Sequence, residues 1–323
     1  PPLRTVQPGL SGTFRFDDQR VSLADVKIGT ENIWAVLAGD IAGYLRGAPR
    51  SSVKVIASNM DFAGLLSFQP DRKPEDIGPF DFKDLSFSGP LQLGATSFFG
   101  VPLASVQGTY AFDNNRFSIR KLTGVVAERG RFNLEAAIDL GVQGLAYTGR
   151  LDITDVPVKA LRGLVGFDPA PFFDGALSGV CTLAGRGTTP DAIIQRLTGD
   201  ARLTLRGGTI KGIGLPSQIA AFLKQDAVGD LDFTDARLML ELAGGEVRLA
   251  EGALISRGVE VHPAGTVGLD GELDLTATLK IAETLFAEDS RVASYLPREA
   301  GWITLPVIIR GTIQRPSVTL SEE

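Results

Sequence analysis

Apolar and polar residues alternate with a period of two along much of this chain, and that pattern limits what it can fold into. Ala201-Arg202-Leu203-Thr204-Leu205, Arg237-Leu238-Met239-Leu240-Glu241-Leu242 and Glu272-Leu273-Asp274-Leu275-Thr276-Ala277-Thr278-Leu279 all read this way. In Thr13-Phe14-Arg15-Phe16 both rings fall on one face, and Val21 and Leu23 continue that face beyond an Asp17-Asp18-Gln19-Arg20 turn. Successive side chains of a strand point to opposite sides, so such runs are strands with one greasy and one wet face. One-sided strands belong to antiparallel sheets. Turn signals stand between the runs at Asp113-Asn114-Asn115, Gly207-Gly208, Gly244-Gly245 and Asp270-Gly271.

An internal repeat organises these strands. Gly12-Thr13-Phe14-Arg15-Phe16-Asp17-Asp18-Gln19-Arg20-Val21-Ser22-Leu23 returns 96 residues later as Gly108-Thr109-Tyr110-Ala111-Phe112-Asp113-Asn114-Asn115-Arg116-Phe117-Ser118-Ile119. Gly64-Leu65-Leu66-Ser67-Phe68-Gln69-Pro70 returns 99 residues later as Gly163-Leu164-Val165-Gly166-Phe167-Asp168-Pro169. A looser third copy starts near Asp235, with a hairpin from Leu238 to Leu249 and a run from Thr266 to Leu279. Each unit must then hold several strands and a helix, and stacked units share one continuous sheet. The units are placed at 1–106, 107–234 and 235–323. The expected fold is mainly β: an elongated, curved antiparallel sheet forming an apolar groove from about three repeat units, with a few short helices.

Four helices are expected. One starts at Thr189-Pro190-Asp191, with Ile193, Ile194 and Leu197 on one side. Others follow Pro157 (Leu161, Leu164, Val165) and Pro216 (Ile219, Phe222, Leu223, ending near Gly229), and a fourth runs from Thr284 to Tyr295, stopped by Pro297.

Composition removes many functions. The 323 residues carry a net charge of −6, which argues against nucleic acid as a partner. A single cysteine, Cys181, and a single histidine, His262, exclude intramolecular disulfides, Cys-based zinc sites and His-cluster metal sites. Cys181 reads as a small apolar strand residue, and His262 has no carboxylate pattern beside it. Gly207-Gly208-Thr209-Ile210-Lys211-Gly212-Ile213-Gly214 fits neither phosphate-loop spacing and reads as a turn. We therefore expect no enzyme and no cofactor. Glycine, at 38 residues, is about 12% of the chain against the usual ~7%. Phenylalanine outnumbers tyrosine 18 to 4, which suits a dry surface rather than one half wet.

The residues expected to line an apolar groove are Phe14, Phe16, Tyr110, Phe112, Phe117, Ile119, Leu203, Leu205, Leu238, Leu240, Leu273 and Leu275. The competing account closes the same side chains into a sandwich core. A groove requires apolar positions to continue across repeat boundaries on one face. Replacing Phe112 and Leu240 by Asp is then expected to block passage of an apolar ligand along such a groove with the fold intact.

Residues 197–213, from Leu197-Thr198-Gly199-Asp200 through Gly207-Gly208-Thr209-Ile210-Lys211-Gly212-Ile213, resemble the signature strand pair of the AsmA-like family. Gly245-Glu246-Val247-Arg248-Leu249, the stretch Ala264–Leu275 and the closing Leu305–Val318 resemble it too. The resemblance is good over 195–320 and weaker over 1–190. It implies a protein of the periplasm, anchored in the inner membrane of a Gram-negative bacterium by an N-terminal helix that these residues lack. Such proteins are similar to TamB and to eukaryotic bridge-like lipid transfer proteins. The implied partners are phospholipid, the membrane and envelope proteins, and the implied role is to conduct phospholipid between inner and outer membrane. The alternative is a periplasmic scaffold for outer-membrane assembly that carries no lipid.

Overall fold

The computed structural model describes residues 9–29, 34–46, 49–58, 60–61, 78–82, 84–98, 100–163, 174–188, 190–210, 231–268, 271–286, 298–312 and 315–321. The chain divides into two compact units, Pro1–Thr154 with Thr182–Ile193, and Asp155–Cys181 with Ile194–Glu323. Both are mainly β, as the alternation predicts.

The first unit holds β1 (Gly9–Phe16), β2 (Arg20–Gly29), β3 (Trp34–Ala42), β4 (Arg50–Ser58), β5 (Met60–Asp61), β6 (Ser86–Leu93), β7 (Thr96–Phe98), β8 (Val101–Asp113), β9 (Arg116–Val126) and β10 (Gly130–Asp139). β11 (Ala146–Pro157) and β12 (Ala176–Arg186) have residues in both units. The second unit holds β13 (Thr198–Ile210), β14 (Leu231–Ala243), β15 (Glu246–Ser256), β16 (Val259–Gly268), β17 (Glu272–Ala282), β18 (Arg298–Glu299), β19 (Trp302–Thr312) and β20 (Arg315–Leu320).

In the first unit the ladder runs β1-β2-β3-β4-β6-β8-β9-β10-β11. In the second it runs β13-β14-β15-β16-β17-β19-β20. Pairing is antiparallel apart from β4 with β6 and β5 with β7, which are parallel. A parallel pair needs a crossover rather than a hairpin, and no alternation signal announces one.

The hairpins follow their turn chemistry. Between β1 and β2 the Asp17 carboxylate accepts the N–H groups of Gln19 at 2.8 Å and Arg20 at 2.7 Å. Those two bonds hold its carboxyl below the ordinary aspartate range. Asn114 and Asn115 turn β8 into β9 with positive φ of 48° and 50°, and Gly244 and Gly245 do the same between β14 and β15 at 62° and 84°.

A second device recurs within the strands. Asp25 (φ 51°) precedes Val26, Ser105 (φ 52°) precedes Val106, Lys121 (φ 50°) precedes Leu122 and Asp155 (φ 58°) precedes Val156. The four aliphatic residues are all deeply buried, Val26 and Val156 almost completely. Each left-handed residue interrupts the alternation and turns the next side chain onto the apolar face, as a bulge does. Asp25 and Lys121 stand 96 residues apart, so the repeat includes the bulge. Lys tolerates this conformation poorly. Lys121→Gly is expected to stabilise the protein by about 0.5–1 kcal/mol and Lys121→Val to destabilise it by about 1–3 kcal/mol, read as midpoint shifts in urea.

Two sequence expectations are corrected. Gly207 and Gly208 lie inside β13, and the ring of Phe233 occupies the space where a Gly208 side chain would stand. The segment after Pro157 forms a 3-10 turn over Val158–Gly163 rather than an α-helix. The signal at Asp270-Gly271 falls between β16 and β17, where the Gly271 N–H donates to the Gly268 carbonyl at 2.9 Å, so the run from Thr266 to Leu279 is the end of β16 and most of β17. The helix expected at Pro190 is present as α1 (Pro190–Arg196). At Thr284 the described residues form a 3-10 turn over Glu283–Leu285. Residues 287–297, the stretch after Pro216, Asp270 and the Gly64–Pro70 copy lie outside the described residues, as does all but Gly163 of its Gly163–Pro169 partner.

Candidate functional site

Cross-strand register sorts the side chains of each unit by face. Directly paired residues share a face. In the first unit one row reads Phe16, Val21, Ile41, Ser51, Phe87, Phe112, Phe117, Ile138, Tyr147 from β1 to β11. The next row on that face reads Phe14, Leu23, Gly39, Val53 and, beyond β4, Gly89, Tyr110, Ile119, Ala136, Gly149. Ser51 and the two tyrosine hydroxyls are the polar groups in these rows. At ~4.8 Å per strand each row spans roughly 40 Å.

The second unit repeats the arrangement. Its rows read Leu205, Ala236, Leu254, Val261, Leu279, Leu305, then Ala201, Leu240, Leu249, Gly265, Leu275, Ile309, Val318. Leu203 pairs with Leu238, and Leu242, Val247, Val267, Leu273, Gly311, Pro316 form another row. None carries a charge. The opposite face holds ion pairs such as Arg248 with Glu241 at 2.5 Å and Arg310 with Asp274 at 3.3 Å. Exposed pairs of this kind contribute about 0–1 kcal/mol each and keep that face wet.

The six expected residues of the first unit therefore share one face, and so do the six of the second. Their burial differs. Tyr110, Phe112 and Leu275 are buried, Phe117, Ile119, Leu203, Leu205, Leu238, Leu240 and Leu273 are half-buried, and Phe14 and Phe16 are exposed. Phe112 stacks on Phe87 at 4.8 Å and meets the edge of Phe82 at 5.8 Å. An Asp at 112 would be a buried charge, so the fold is expected not to survive that replacement, whereas the sequence reading expects it to stay intact. Ile138, in the same row and 37% exposed, is the better place for it. Phe87, Ile138 and Tyr147 were absent from the expected set, although Ser86–Leu93 and Ala146–Ile153 both show the two-residue period.

In the second unit the face is closed at one end. Ile281 and Ile303 are 0% and 1% exposed beneath Phe286, and Leu285 packs on the same cluster with Val259, Leu279, Leu305 and Val307. Toward Leu273 the row is half-buried.

Glycine and phenylalanine are abundant partly for one reason. Phe132 lies over its cross-strand partner Gly124, Phe233 over its partner Gly208, and Tyr147 over Gly185, each ring standing within 2.8 Å of where a glycine Cβ would be. A ring laid across a bare glycine covers exposed backbone. Tyr110, partnered with Gly89, reaches further, and its hydroxyl donates to the Val53 carbonyl at 2.7 Å. In the parallel β4–β6 pair the ladder is broken opposite Pro90, which has no N–H, and the phenol supplies the missing donor. Burial pushes the Tyr110 phenol up.

Cys181, half-buried in β12, has its thiol pushed up by burial and by Asp200. His262 does have a carboxylate neighbour, contrary to the sequence reading: Glu260 lies 3.4 Å away on the polar face.

The model of the AsmA family matches residues 91–251, from the end of β6 into β15. The chain is AsmA-like. The matched region spans residues of both units of the AsmA-like chain and eight of the twelve expected residues; Phe14, Phe16, Leu273 and Leu275 lie outside it. It is centred further toward the N-terminus than the sequence resemblance, which is clearest over 195–320. No curated protein and no solved structure matches the chain.

Proposed function

We propose that this AsmA-like chain is a non-enzymatic carrier that binds phospholipid acyl chains along its apolar sheet faces. It works in the periplasm and conducts lipid between inner and outer membrane in support of outer-membrane biogenesis. The observation that carries the reading is the continuity of the rows. Exposing a 16-carbon chain to water costs on the order of 10 kcal/mol, so a carrier needs an unbroken apolar lining. The rows pass the 106/107 division where Phe87 pairs with Phe112, and the 234/235 division where Leu205 pairs with Ala236, with no charged side chain at either crossing. Among the described residues the strands of each unit belong to one sheet, and they form no second sheet. Membrane attachment and envelope protein partners follow from the same reading and are proposed with it.

Native mass spectrometry with lipid extraction tests it. Phospholipid is expected at near-stoichiometric levels on the purified protein. Ile138→Asp and Leu240→Asp, at exposed and half-buried row positions, are expected to lower the lipid content severalfold while the folded baseline and unfolding cooperativity persist. A lipid-free protein that also takes up no fluorescent phospholipid would overturn the proposal and favour a scaffold role.

A further inference from the structure

We infer that the outer edge of β1 is a docking site for one antiparallel strand with the pattern of β6: aromatic, polar, glycine, any residue, aliphatic, polar, aliphatic. The inference rests on the repeat and not on lipid. The β1–β2 and β8–β9 hairpins are structural copies. Phe16 pairs with Val21 as Phe112 pairs with Phe117, Phe14 pairs with Leu23 as Tyr110 pairs with Ile119, and the bulges at Asp25 and Lys121 coincide. The copies differ on their outer side. There β8 is paired with β6, with Phe87 opposite Phe112, Gly89 opposite Tyr110 and Leu91 opposite Gly108. Among the described residues β1 pairs with β2 alone, and all eight of its residues are exposed.

The consequence shows in equivalent rings. Tyr110 and Phe112 are 8% and 6% exposed, whereas Phe14 and Phe16 are 40% and 70% exposed. Phe87 stacks on Phe112 and Phe82 meets its edge, and a ring in the place of Phe87 would stack on Phe16 the same way. β1 also lacks the usual protections of an edge strand: it has no proline, no lysine and a single charge, Arg15. By contrast β20, which pairs with β19 alone among the described residues, is six residues long and contains Pro316 and Arg315. Phe14 has no hydroxyl, so unlike Tyr110 it asks for no carbonyl beyond the incoming glycine. Strand addition of this kind uses main-chain bonds for affinity and alternate side chains for specificity.

A synthetic peptide copying residues 85–94 is the probe, titrated into the full chain and followed by fluorescence anisotropy and amide hydrogen exchange. Saturable binding with new protection of β1 amides is expected. Phe16→Asp, which changes an exposed side chain, is expected to weaken binding about tenfold with the unfolding transition unchanged. A peptide carrying Asp at the positions of Phe87 and Leu91 is expected not to bind. No binding, or binding indifferent to Phe16→Asp, would overturn the inference. So would a dimer in sedimentation that Phe16→Asp dissolves, because the occupant would then be a second copy of the chain.

Discussion

Phe112→Asp is expected to abolish cooperative unfolding of the first unit, whereas Ile138→Asp, two strands away in the same row, leaves it folded. Truncating a buried phenylalanine costs about 3–5 kcal/mol, and a charge left in its place adds the penalty of desolvation. A domain is held by only ~5–15 kcal/mol in total, so the sum consumes most or all of it. Phe112 is 6% exposed between Phe87 and Phe82, and Ile138 is 37% exposed. Urea titrations followed by tryptophan fluorescence and far-UV circular dichroism separate the two. Equal stability of both variants would mean that the Phe87–Phe112 stack is not a core. The contrast also bears on the lipid test, because only a variant that stays folded reports on lining.

Gly89→Ala is expected to cost about 3 kcal/mol, while Gly149→Ala in the same row is neutral or slightly stabilising. A Cβ on Gly89 would stand 1.8 Å from the Val53 carbonyl oxygen, and that atom is backbone. Either β4 or β6 must move, and the move also pulls Val53 away from the Tyr110 hydroxyl. At Gly149 the nearest atom to a Cβ is 3.8 Å away, so alanine fits and reduces the freedom of the unfolded chain. The measurement is the difference in urea midpoint between the two variants. A Gly89→Ala protein as stable as the parent would show that the strands are free to part there, and that the phenol bond contributes nothing.

Local chemistry explains which features could be read from residues alone. Alternation reports the face of each residue because the strand period is fixed at two, so Phe14 and Phe16, or Leu273 and Leu275, are placed together without any tertiary information. Hairpins with Asn114-Asn115 or Gly244-Gly245 are equally local, since a tight turn constrains only its own φ angles. The 96-residue repeat carried even the position of the bulge at Lys121, although no single residue type announces it.

Nonlocal contacts explain the rest. Gly207-Gly208 looks like a turn because glycine permits one, but whether it turns depends on Phe233, which β14 delivers from 25 residues further on. The parallel pairing of β4 with β6 leaves no periodic mark, because side-chain alternation is the same in either direction. Phe16 and Phe112 occupy equivalent places in the repeat, yet one ring is exposed and the other buried. The sequence by itself determined that each strand has one apolar face and, between bulges, which side chains lie on it. Only the tertiary structure decided how deeply each is covered, because burial depends on the neighbouring strand, and that neighbour is β6 beside Phe112.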